Sequence, residues 1–219
     1  ELTVYPDAHP EVTSVDGTTN RSDVDETWTA LRSGVGVVAS DGGPTLGVQV
    51  TAYTGANKWA NLMRSLLLFD TSPLGAGVNL ASAVFSVYGD SKSNSIGANP
   101  APDINVYAST PASNIALEAA DYQNVGSTPF CDTPIAYADW NIAGYNNFVL
   151  NAAGLAAISK TGITKLGLRN ANYDVSGTEP GWVQWEFFSI IGLAADSASF
   201  LPKLVITYTS FIPKVIFIM

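Results

Sequence analysis

From Arg64 to Tyr208 the chain is built of short apolar segments separated by turn-rich stretches, and the apolar residues recur with a period of two. In Ala81-Ser-Ala-Val-Phe-Ser-Val-Tyr88, Ala81, Ala83, Phe85 and Val87 fall on one face, and Ser82, Val84, Ser86 and Tyr88 on the other. A period of two is the alternation of a pleated strand and fits no helix face. Val48–Tyr53 alternates in the same way, which predicts a half-buried strand. Leu62–Phe69 is a dense apolar run broken by Arg64 and Ser65, expected of a central strand that ends in a turn at Asp70–Pro73. Ile104–Ala108, Ile163–Arg169, Trp182–Ile190 and Lys203–Tyr208 complete the series.

Before this series the chain is polar. It predicts a strand at Leu2–Tyr5, a turn at Asp16-Gly17, a strand at Trp28–Arg32 and a loop at Ser40–Pro44. Residues 89–102 and 170–181 read as surface loops, and Ile115–Tyr122 as a helical turn. Leu150–Ile158 is the best helix candidate, with Asn151 as its cap and Gly162 just past its end. Many short strands, few helices and no βαβ rhythm predict an all-β antiparallel sandwich, a jelly roll, with one or two short helices. With 219 residues the chain reads as a single sandwich domain over 1–210, its N-terminal strands and loops in 1–60.

Three of these segments carry a resemblance. Arg64–Asp70, an Arg-containing strand ending in Phe-Asp, is followed by Ala83–Tyr88, and the series closes with Pro202-Lys-Leu-Val-Ile-Thr-Tyr208. In this the chain resembles the DNRLRE-type sandwich family, related to carbohydrate-binding jelly rolls. Ala120-Asp-Tyr122, Tyr145-Asn-Asn-Phe148, Leu150-Asn151 and Gly154-Leu155 are similar to a version found in phage virion proteins and microbial surface proteins. The resemblance covers about two-thirds of the chain, with 61–210 as its core. It implies a structural or binding module without an active site, on a virion or, alternatively, secreted or on a cell surface. On this reading the chain is a non-enzymatic virion subunit (decoration, head fibre or tail-associated) that forms a homo-oligomer and meets other virion proteins. A carbohydrate-binding module that takes a host-surface glycan, or an extracellular filament subunit, is the alternative.

Composition narrows the partners. A net charge of −9, with only ten Lys and Arg, argues against a nucleic-acid face and against anionic membranes. The longest apolar run is too short to span a bilayer, so no membrane insertion is expected. No secretory signal is visible, yet the chain opens on Glu1 and not Met, which leaves export open. Cys131 is the sole cysteine and His9 the sole histidine, far apart in sequence, so an idle buried thiol is expected in place of a nucleophile. No phosphate loop, zinc motif or Gly-x-Ser-x-Gly elbow is present. No cofactor is expected, with one exception left open. Asp23, Asp25 and Glu26 put three carboxylates within four residues, which could start a calcium shell; an ordinary solvated loop is the favoured reading.

Two further features bear on recognition. Of five tryptophans, Trp59, beside Asn57 and Lys58, is the best candidate for an exposed ring that stacks on a sugar; core or interface packing is the favoured expectation for all five. The tail 211–219 carries Phe211, Ile212, Val215, Ile216, Phe217 and Ile218, an aggregation hazard unless covered. It is expected to add a strand to its own sheet or, the favoured reading, to be buried against a neighbouring subunit.

Overall fold

The structure, a computed structural model, describes residues 1–96 and 102–210. Its strands are β1 (Leu2–Val4), β2 (Asp16–Arg21), β3 (Val38–Ser40), β4 (Thr45–Ala52), β5 (Trp59–Asp70), β6 (Val78–Asn94), β7 (Ile104–Ala108), β8 (Tyr145–Val149), β9 (Ile163–Asn170), β10 (Phe187–Leu193) and β11 (Lys203–Ser210). Among the described residues two short α-helices, α1 (Trp28–Ser33) and α2 (Ala152–Ala156), interrupt them. Every strand pairing among the described residues is antiparallel.

One layer runs β1-β11-β6-β8, so the first strand lies beside the last and the last beside a middle strand. The other runs β5-β9-β7, extended by an isolated bridge from Ile135 to Ile104. That order is the jelly roll. β2 and β3 add to the second layer, while β4 and β10 close one side by linking β5 to β6. The layers clasp an apolar core. Phe85 of β6 lies between Phe69 and Phe148, with ring centroids 5.8 and 5.7 Å away. A second cluster gathers Trp28, Leu31, Val50, Trp59, Leu62, Tyr122 and Phe188 at the end that α1 covers.

Most strands fall where the periodicity puts them, and the exceptions have local causes. Trp28–Arg32 is helical, because the Thr27 side chain accepts from the Ala30 N–H and the Trp28/Leu31 spacing buries one helix stripe. Asp16-Gly17 opens β2 and is no turn. Its side-chain oxygen is tied to the distant Ala195 N–H, a partner that local turn chemistry does not anticipate. β6 continues to Asn94 through residues read as loop, because β10 offers it a partner. Residues 182–186 stay outside β10; Trp185 has φ +64°, which breaks the extended run. The 170–181 stretch begins with a π-helical turn at Ala171–Val175.

The helix expected at Leu150–Ile158 is the shorter α2, and Asn151 does cap it. Its Oδ1 accepts from the Gly154 N–H at 3.0 Å while its Nδ2 donates to Pro129 O and Asp132 Oδ1. Asn151→Ala is expected to cost about 1 kcal/mol in chemical denaturation, the usual worth of such a cap.

Candidate functional site

The most demanding polar feature lies where the second layer meets the Ala171–Val175 turn. Arg64 is aimed from β5 and Arg169 from β9, and both converge on Asp174, which is fully buried. Arg64 Nε and Nη2 donate to Asp174 Oδ2 and Oδ1 at 2.8 and 2.7 Å; Arg169 repeats the fork at 2.7 and 2.8 Å. Arg32 of α1 donates to the Asp174 backbone carbonyl at 2.6 Å. The surplus N–H groups go to carbonyls of Tyr122, Arg32, Val125 and Gly126, and the Arg64 guanidinium lies 4.0 Å from the centre of the Tyr122 ring. Burial alone pushes the Asp174 carboxyl up; the two guanidiniums outweigh it and hold it at about 2. The carboxylate is thus charged at neutral pH, saturated and sealed. It rivets α1, β5, β9 and the turn together and offers nothing to a substrate.

The outer face of the first layer is different. Strand register places Val149 of β8 opposite Val84 of β6, Val84 opposite Val205 of β11, and Val205 opposite Thr3 of β1. Their neighbours Phe148, Phe85, Leu204 and Ile206 point into the core, so the three valines point outward. Val149 is 64% exposed. Beside this row Tyr88 packs on Tyr145 and stacks on Phe200, itself 53% exposed, and Lys203 Nζ lies 4.2 Å from the Tyr145 ring centre. A solvated sheet face normally carries polar residues at such positions. Here it carries a row of β-branched side chains across three adjacent strands.

A groove of about 460 Å³ flanks the same layer, between β8 and residues 132–139. Asp132, Asp139, Asn147 and Asn151 give it polar atoms; Pro134, Ile135, Val149 and Leu150 give it apolar wall. No protein-family model matches the chain, and no curated protein does.

Trp59, the candidate for an exposed stacking ring, is fully buried, in line with core packing. Its ring meets Trp28 edge-on at 5.2 Å and its indole N–H donates to Glu179, so neither ring face is free for a sugar. The most exposed tryptophan among the described residues is Trp185. Asp23 and Asp25 are exposed, and Glu26 is engaged by Arg21 through a two-pronged ion pair; the three do not form a shared ligand set. Cys131 is buried, and burial pushes its thiol up to about 12, far from a reactive thiolate. Phe211, Ile212, Val215, Ile216, Phe217 and Ile218 lie outside the described residues. No helix among the described residues is long and apolar enough to cross a membrane.

Neither the buried ion cluster nor the valine row was anticipated. Arg64 and Arg169 inside apolar strands were the signal for the first, since a buried guanidinium requires an acid partner. The second needed the strand register, because Val84, Val149 and Val205 each look unremarkable alone.

Proposed function

We propose that the chain is a non-enzymatic structural subunit of a virion, a decoration, head-fibre or tail-associated protein, that self-associates through the outer face of its first layer. The observation that carries the reading is the outward Val149–Val84–Val205 row. Apolar area of this kind gains about 25 cal/mol per Å² when a second copy covers it. The locked Asp174 cluster supports a scaffold whose buried charges serve rigidity.

Sedimentation tests the association. The native chain is expected to run as an oligomer, and Val84→Glu with Val149→Glu to shift it to monomer while leaving its circular dichroism unchanged. A native chain that stays monomeric at high concentration overturns the proposal. Electron microscopy of particles carrying the chain tests the virion assignment.

The groove beside β8 favours a second reading, a carbohydrate-binding module, because amides and carboxylates next to an apolar wall suit a sugar's hydroxyls and ring face. A glycan-array signal abolished by Asn147→Ala, and unchanged by Val84→Glu alone, which lies outside the groove, would select this reading over the first.

A further inference from the structure

The chain's sole histidine stands between two acids. His9 and Glu11 flank Pro10 in the loop between β1 and β2, and Asp41 follows β3. One ligand atom from each of the three lies within 4.8 Å of the others. His9 Nδ1 is 3.0 Å from Glu11 Oε2. The fold holds each member in place separately. The His9 backbone N–H donates to Asp196 Oδ1 at 2.7 Å, which fixes the loop that carries it. Asp41 Oδ2 accepts from the Leu117 N–H at 2.9 Å. A Cβ built on Gly42 would lie 3.4 Å from His9 Cγ, so the imidazole rests against the backbone of the residue next to Asp41.

A His9–Glu11 ion pair by itself leaves one group unexplained. The Glu11 side chain is 3% exposed, and its Oε1 is buried with no hydrogen-bond partner. Among the described residues His9 is the only cation that Glu11 meets, and Asp41 meets none. A buried carboxylate oxygen without a donor or a cation is costly, and a second acid close by adds repulsion. A metal ion bound by this carboxylate, through either oxygen or both, supplies the missing partner and removes the repulsion from Asp41.

We infer that His9, Glu11 and Asp41 hold a divalent transition-metal ion, with zinc as the ion their donors suit, and that it clamps the N-terminal loop to the β3–β4 connection. One imidazole nitrogen and two carboxylates make a three-ligand set, which zinc completes with water in a tetrahedron. Calcium asks for six to eight oxygens and gains nothing from the imidazole. Zinc–ligand bonds of about 2.0–2.1 Å put neighbouring donors roughly 3.3 Å apart. The His9–Glu11 pair already stands near that spacing. The remaining closure falls to His9, whose side chain is 55% exposed and has room to turn. His9 and Asp41 come from different segments, which is why no local zinc motif marks them.

The test uses the whole chain, stripped with a chelator and titrated with zinc chloride, read by calorimetry and by thermal unfolding. One zinc per chain is expected, with Tm rising by roughly 5–10 °C when zinc is a hundredfold above Kd. His9→Gln and Glu11→Gln should each weaken binding tenfold or more. The first changes a largely exposed side chain and the second is near-isosteric, so both metal-free variants are expected to keep the native circular dichroism. Asp23→Asn with Asp25→Asn should bind zinc as the native chain does. Absence of heat and of any Tm change at about 1 mM zinc, far above what a built zinc site needs, overturns the inference. So does zinc binding that His9→Gln and Glu11→Gln leave unchanged, or a response to calcium chloride as strong as that to zinc.

Discussion

Asp174→Ala is expected to destabilise the protein by about 3–5 kcal/mol, because it strands Arg64 and Arg169 without their counter-ion in the interior. Both guanidiniums are less than one-tenth exposed, and each loses a two-pronged bond to the same carboxylate. Asp174→Asn should fall close to alanine, since the amide keeps the shape but removes the charge and offers only one oxygen to two forks. A shortfall of this size lowers Tm by about 10 °C in a chain of this length, readable in a urea or thermal melt. A loss below about 1 kcal/mol would mean that water reaches the cluster and the ion pairs are not buried.

The same group sets an acid limit. The folded pKa of Asp174, about 2, lies below the ordinary value of 3.8 that the unfolded chain takes. A depressed carboxyl stabilises the fold fully above its unfolded pKa, and that contribution fades as pH falls from about 4 through about 2. The native protein should therefore lose on the order of 2 kcal/mol over that interval from this residue. The Asp174→Asn variant should lose correspondingly less, and melts across that pH range will show whether the two curves converge.

How much of this was legible depended on the range of the interaction. The β6 alternation is a property of neighbouring residues, and its inward face, Ala83, Phe85 and Val87, is buried as the period demands. Ile104–Ala108 likewise needed only its own residues. Trp28–Arg32 alternates as well as a strand does. The Thr27 cap and the pocket that receives Trp28 and Leu31 decide for helix, and that pocket is made by β4, β5 and β10. Sites behaved in the same way. Asp174 sits 110 residues from Arg64, and Asp16 is 179 residues from Ala195, so no local motif announces either. Asp23, Asp25 and Glu26 are close in sequence and attracted notice for that reason. Glu26 turned out to serve its near neighbour Arg21.

Trp59→Ala should be nearly as damaging as the loss of Asp174, at about 3–5 kcal/mol. The position matters because the sequence context of Trp59 suggests a surface ring, and the two placements predict opposite results. A surface stacking residue can be truncated within about 0.5 kcal/mol, with loss only of a ligand. A ring that is fully buried, packed edge-on against Trp28 and held by an indole N–H to Glu179, leaves a cavity when removed. Its neighbours are poorly placed to fill that cavity. Leu62 and Val50 are fixed in paired strands, and Trp28 is fixed by α1. Trp59→Phe retains most of the packing and forfeits the indole N–H, so its loss should be less than half that of alanine. Urea unfolding of the two variants measures the difference. A Trp59→Ala protein as stable as the native chain would place the ring at the surface and reopen it as a sugar platform.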